Sequence, residues 1–133
     1  MSQYLFVYGT LRRGQPLNRY VSAEAARFIG EGAIAGRLFD LGEYPAAISD
    51  TKRFSTVRGE VHELLSPHET LPILDDIEGF DEKRPERSLF ERRAVEATLE
   101  GGRRLKVWVY FYRRPLLAAT EIPDGDFVRW RSE

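Results

Sequence analysis

The sequence predicts an α+β domain whose sheet curls toward a small, mixed, partly closed β-barrel of about six short strands with one principal helix. Three observations lead there. Strand-forming segments recur along all 133 residues, separated by turns rich in glycine and proline. Only one stretch carries a full set of helix start and stop signals. The length suits one core, because a unit of this size buries roughly two thirds of the surface its unfolded chain exposes. Residues 1–133 therefore read as a single domain, undivided by repeats, linkers or low-complexity segments.

The first element is the run Tyr4-Leu5-Phe6-Val7-Tyr8, apolar without alternation and stopped at Gly9, which suits a central strand covered on both faces. After the loop Gly9–Pro16, residues 17–28 mix alanines with Asn18, Arg19, Glu24 and Arg27 and read as weakly helical. Glycines at 30, 32 and 36 interrupt the apolar residues of 29–41, the pattern of one bent or bulged strand. A turn at 42–45 precedes a short strand at 46–49, and 57–64 alternates as a half-buried strand does. The principal helix spans 67–77: Ser66 and Glu69 form a capping-box pair, Pro67 opens it, Leu71, Leu74 and Ile77 share a face, and Gly79 closes it. A charged loop at 80–87 leads to strands at 89–99 and 105–112, joined by Glu100-Gly101-Gly102 as a hairpin. The tail from 113 reads as loop, with a turn at 122–126 and with Phe127 and Trp130 free to pack back.

Composition excludes several classes of function. Twenty basic against 21 acidic residues leave a net charge of −1, so no general field recruits nucleic acid or an anionic membrane. The paired arginines at 92/93, 103/104 and 113/114 point to opposite faces of extended chain and build no basic stripe. Without cysteine there is no disulfide, thiolate metal site or thiol nucleophile. No secretory leader or long apolar span is expected, so the chain reads as soluble and cytoplasmic, with no membrane and no nucleic-acid partner. A small neutral or zwitterionic molecule fits better. His62 and His68 lack a supporting ligand motif; both are expected at the surface, and no metal and no cofactor is expected.

Two segments could carry chemistry. In Tyr8-Gly9-Thr10-Leu11-Arg12-Arg13-Gly14, a chain leaving a buried strand at a glycine can turn successive N–H groups to one side, a nest for a carboxylate or oxyanion; the same glycines also serve an ordinary surface turn. In the last turn of the helix, Asp75, Asp76 and Glu78 face one another and the negative end of the helix dipole. Any of them that is also partly buried has its ionisation disfavoured and suits proton transfer near neutrality, Glu78 above all because it adjoins the terminal glycine. The alternative is a solvated acidic end met by Lys83, Arg84 or Arg87. Tyr110, in an aromatic strand that is otherwise core, could line a pocket.

Tyr8-Gly9-Thr10-Leu11, Gly36–Gly42 followed by Tyr44-Pro45-Ala46, Val57-Arg58-Gly59-Glu60-Val61, Leu74–Phe80 and Trp108-Val109-Tyr110, in this order over about residues 4–130, resemble the gamma-glutamylcyclotransferase-like family, including its AIG2-like and gamma-glutamylamine cyclotransferase branches. The resemblance implies a barrel with a cavity, no metal or organic cofactor, and a small-molecule gamma-glutamyl substrate. It implies that Tyr8, Gly9, Thr10 and Leu11 hold the gamma-glutamyl part and that Glu78 is the catalytic acid/base that closes 5-oxoproline and frees an amine. Phe39 and Phe90 stand where members often carry tyrosine, which leaves the leaving group open between amines and amino acids. The rival reading is a binding or sensing module that keeps the pocket without turnover. The sequence assigns no oligomeric state.

Overall fold

A computed structural model of the chain describes residues 3–22, 24–50, 55–117 and 119–132. In chain order its strands are β1 (Gln3–Val7), β2 (Ala26–Ala35), β3 (Arg37–Asp40), β4 (Pro45–Ile48), β5 (Thr56–Leu64), β6 (Phe90–Leu99), β7 (Arg104–Tyr112) and β8 (Thr120–Glu121). Helix α1 (Pro67–Ile77) joins β5 to β6, and α2 (Phe127–Ser132) ends the described chain. The architecture is α+β. Five strands close a barrel in the order β1-β5-β2-β6-β7, antiparallel except at the closure, where Leu5 pairs in parallel with Trp108. Three more form a small sheet in the order β4-β3-β8.

Pairing on both edges explains the uniformly apolar β1. Alternate side chains enter two different cores: Phe6 and Tyr8 join Ile34, Val57, Val61, Val107, Val109 and Phe111, whereas Leu5 and Val7 meet Leu71 and Leu74 of α1 with Leu64, Phe90 and Tyr110. The barrel thus has a filled interior and a second apolar layer under its helix.

Several sequence expectations change. The barrel is closed and the strand count is eight among the described residues, because the expected bent strand at 29–41 is two strands, β2 in the barrel and β3 in the small sheet, and the tail adds β8. The bulge lies within β2, at the register shift between Phe28 and Gly30. The weak helix at 17–28 is only a single 3-10 turn, Asn18–Val21, after which β2 begins. The tail is not all loop, since it supplies β8 and α2, with Phe127 buried and Trp130 packed against the barrel core. In α1 the Ser66 side chain makes no capping hydrogen bond; its carbonyl alone starts the helix by accepting from Glu69 and Thr70. Strand β5 is half-buried only at its start, and from Gly59 onward it is buried on both faces. No helix among the described residues is long and apolar enough to cross a membrane.

Candidate active site

A cavity of about 340 Å³ opens where the end of β1, the turn before β4, the last turn of α1, the start of β6 and the end of β7 converge. Tyr8, Gly9, Thr10, Leu11, Glu78 and Tyr110 all line it, although about 70 residues separate the first group from Glu78. Its remaining wall is mainly apolar and aromatic, including Leu17, Tyr44, Ile77, Leu89 and Phe90, with Glu43 the other carboxylate.

The segment after β1 is a compact turn pinned from behind. Arg12 N–H donates to Gly9 O at 3.0 Å, Leu17 N–H to Thr10 O at 2.9 Å, and Asn18 Nδ2 to Leu11 O at 2.9 Å. Arg13 N–H donates to the buried Glu60 carboxylate at 2.9 Å, which also faces Arg12 at 3.7 Å. Among the described residues, no protein acceptor takes the N–H groups of Gly9, Thr10 and Leu11, the three positions on the cavity wall. Gly9 is required by close approach: a Cβ there would lie 2.6 Å from Pro45 Cγ and 2.9 Å from its Cδ. Tyr44-Pro45 thereby closes down on the turn.

Opposite, α1 ends in a Schellman arrangement: Phe80 N–H donates to Asp75 O at 2.8 Å and Gly79 N–H to Asp76 O at 3.2 Å, with Gly79 at φ +68°. This fixes Glu78 as the cap residue. Burial pushes the Glu78 carboxyl up from its ordinary value of 4.5 to about 7, and it makes no hydrogen bond or ion pair among the described residues. Burial is the cause that raises it, rather than repulsion from the neighbouring carboxylates. Asp75 is instead compensated, by Arg92 (Nε 2.8 Å, Nη2 3.1 Å) and by the Tyr110 hydroxyl at 2.6 Å, and not by Lys83, Arg84 or Arg87.

The tyrosines are linked through the same network. Tyr8 O–H donates to Tyr110 O at 2.6 Å. Burial holds both phenols well above their usual range, with the charge of Glu78 adding to the effect on Tyr8 and the bond to Asp75 to that on Tyr110. Both therefore remain neutral O–H donors across the physiological range. His62 is the clear misreading. It is 1% exposed rather than at the surface, with Nε2 3.2 Å from Glu60 and Phe28 edge-on at 5.5 Å. His68 is exposed. Among the described residues, no three His, Asp or Glu side chains are grouped to hold a metal ion. Sequence reasoning also missed Arg92, Glu60 and the wall from Tyr44 and Phe90. The alternation of 57–64 concealed Glu60, and nothing local in the sequence marks Arg92 as the partner of Asp75.

The sequence matches the family described as gamma-glutamyl cyclotransferase, AIG2-like, over residues 5–131. The chain belongs to this family. A gamma-L-glutamyl-butirosin B gamma-glutamyl cyclotransferase of Niallia circulans is 35% identical over 121 residues, covering 90% of this chain and 73% of that protein. An AIG2-like protein of Mus musculus is 28% identical, with a TM-score of 0.67 over 86% of this chain and 80% of its own. An uncharacterized Pyrococcus horikoshii protein is also 28% identical, with a TM-score of 0.65 over 98% of this chain and 93% of its own. The chain is accordingly an enzyme of the gamma-glutamyl cyclotransferase type.

Proposed function

We propose that this gamma-glutamyl cyclotransferase converts a gamma-glutamyl amide to 5-oxoproline and a free amine, with Glu78 as general acid/base. The observation that carries the reading is a carboxylate with a midpoint near 7 that shares one cavity with three backbone N–H groups, none of the four having a hydrogen-bond partner among the described residues. The neutral α-amine of the substrate attacks its own γ-carbonyl carbon, forming the ring C–N bond, while Glu78 takes the proton. The N–H groups of Gly9, Thr10 and Leu11 receive anionic oxygen of the gamma-glutamyl part. When the amide C–N bond breaks, Glu78 returns the proton to the leaving nitrogen, so one carboxyl closes the proton cycle. A base placed in this way contributes about 10²- to 10⁴-fold, and restraining the amine beside the carbonyl adds to it.

The cavity wall also bears on the leaving group. Among the described residues its charged members are Glu43 and Glu78, with no Lys, Arg or His. A gamma-glutamyl amino acid or glutathione brings a second carboxylate that no cation on this wall receives, so amines are the better leaving groups. The test is 5-oxoproline release from matched gamma-glutamyl amines, gamma-glutamyl amino acids and glutathione. The expected result is turnover, fastest with the amines. Turnover with none of them, while the same compounds still raise Tm, would overturn the reading.

A further inference from the structure

Beside the cavity wall lies a partly buried ion pair, neither member of which lines the cavity that holds Glu78. Asp75 on α1 accepts both nitrogens of Arg92 on β6 and the hydroxyl of Tyr110 on β7, and the two charged side chains are only 15% and 12% exposed. The Arg92 guanidinium lies 4.5 Å from the Trp108 ring centre, which fixes its plane. Asp75 is also the residue whose carbonyl closes the end of α1 by accepting Phe80 N–H, and Tyr110 passes the linkage on by accepting the Tyr8 hydroxyl at its carbonyl. One residue therefore joins, through its carbonyl and its carboxylate, the turn bearing Glu78, two barrel strands and the tyrosines of the cavity wall. A buried pair is a poor device for stability alone, since apolar residues of similar volume usually serve as well.

We propose that Asp75 and Arg92 are positioning residues for the reaction: as one charge-neutral unit they fix the Tyr110 hydroxyl and the last turn of α1, holding Glu78 against the cavity without placing a net charge beside it. The proposal rests on the proton-carrier role of Glu78. The groups that feel the charge of Glu78 are Tyr8 from the end of β1, Tyr44 from the turn before β4 and Tyr110 from β7; Glu43 shares its cavity wall, Asp75 and Asp76 lie within one turn of it on its own helix, and Arg92 of β6 is paired to Asp75. The buried tyrosines are uncharged, and Glu43 and Asp76 are exposed to screening water. The paired charges of Asp75 and Arg92 cancel at a distance, which leaves burial to set the midpoint of Glu78.

Unbalancing the pair therefore moves that midpoint in opposite directions. An unmatched unit charge about one helical turn away shifts it by about two pH units at an effective dielectric of about 20. Arg92→Gln leaves Asp75 unmatched and should move the acid limb of kcat/KM upward by about that amount. Asp75→Asn leaves Arg92 unmatched and should move the limb downward. The double variant Asp75→Asn/Arg92→Gln and the conservative Arg92→Lys should both return it to within a few tenths of the wild-type position, while kcat stays about tenfold low because the clamp is loosened. The Glu78 carboxyl is followed in the same proteins by ¹³C NMR titration without substrate. Opposite shifts of that resonance support the proposal; shifts of one sign, or none, overturn it. If the resonance shifts as expected while the wild-type rate profile ignores Glu78, the pair stands and the proton-carrier role falls. Should either single variant not fold, the double variant and Arg92→Lys decide alone, since neither leaves a full charge unmatched: wild-type kcat in both overturns the proposal.

Discussion

Glu60 and Glu78 are two shielded carboxylates on either side of the same turn, and they are shifted in opposite directions. Burial pushes Glu60 upward, but it is outweighed by the hydrogen bond from His62, the Arg13 N–H and the nearby Arg12 guanidinium, so Glu60 ionises more readily than an ordinary glutamate. Glu78 is also shielded from water but has no partner among the described residues and is raised to about 7. Burial alone therefore does not mark a reactive carboxylate; the absence of compensating donors does. Glu60 secures the back of the turn, and Glu78 faces the space in front of it.

The sharpest way to break this contrast is Glu78→Gln, which keeps the side chain's size but cannot accept the amine's proton. Turnover should fall at least about a hundredfold with little change in affinity for a gamma-glutamyl ligand. Stability should move the other way. Because folding raises the Glu78 midpoint from 4.5 to about 7, its contribution is complete below the lower value and is lost as pH rises through the upper one. At 1.36 kcal/mol per unit, this amounts to at most about 3 kcal/mol. Thermal unfolding should thus find Glu78→Gln more stable than wild type at pH 8 and nearly equal at pH 4. A glutamate salt-bridged for structure predicts full turnover and a lower Tm.

Glu60→Gln is the mirror experiment. Removing one member of a buried charge network typically costs about 3–5 kcal/mol, reduced here to about 2–3 because Arg12 keeps its 2.9 Å contact with Asp126. The lowered Glu60 midpoint contributes stability that is present above the ordinary glutamate value and lost as pH falls, so the deficit of the variant should shrink in acid. Its rate per folded molecule should stay within about tenfold of wild type, the turn being held also by the bonds to Leu17 and Asn18. A loss as deep as that of Glu78→Gln at full stability would erase the distinction between the two carboxylates.

The contrast also shows what the sequence could reveal. Helix α1 and its glycine stop were legible because an opening proline, apolar spacing and a terminal glycine are local signals, and so was the hairpin at Gly101-Gly102. Glu78 was legible as the residue before that stop. Glu60 and His62 were not, because alternation in 57–64 marks which residues share a face and not which faces are covered; α1 and the closed barrel bury both faces of β5. The division of 29–41 between two sheets and the burial of the tail are likewise long-range outcomes. Asp75 was seen as one of three equivalent carboxylates, and only the approach of β6 and β7 separates it from Glu78.

Gly9→Val probes the front of the turn. The new side chain meets Pro45 at 2.6 Å, well inside contact distance, so either the turn or the Tyr44-Pro45 wall must move. Overpacking of this kind costs about 1–3 kcal/mol, and the displaced N–H groups should raise KM at least about tenfold. Calorimetric titration with a non-reacting gamma-glutamyl analogue measures the binding loss directly. Unchanged affinity would mean that the anionic end of the substrate lies elsewhere in the cavity.

The smallest effect is expected at Thr10, where backbone and side chain give separable answers. The Thr10 carbonyl accepts Leu17 N–H at 2.9 Å, and its own N–H lies on the cavity wall without a protein acceptor. Its hydroxyl makes no hydrogen bond among the described residues. Thr10→Ser removes one methyl group and some χ1 stiffness while leaving the backbone intact, so kcat/KM should stay within about twofold. Thr10→Ala then isolates the hydroxyl. If backbone groups hold the substrate, Thr10→Ala resembles Thr10→Ser; if the hydroxyl donates to the substrate, Thr10→Ala falls by about tenfold or more while Thr10→Ser does not. Only the first outcome keeps recognition on the backbone side of the comparison, leaving Glu78 as the one side chain on which proton transfer depends.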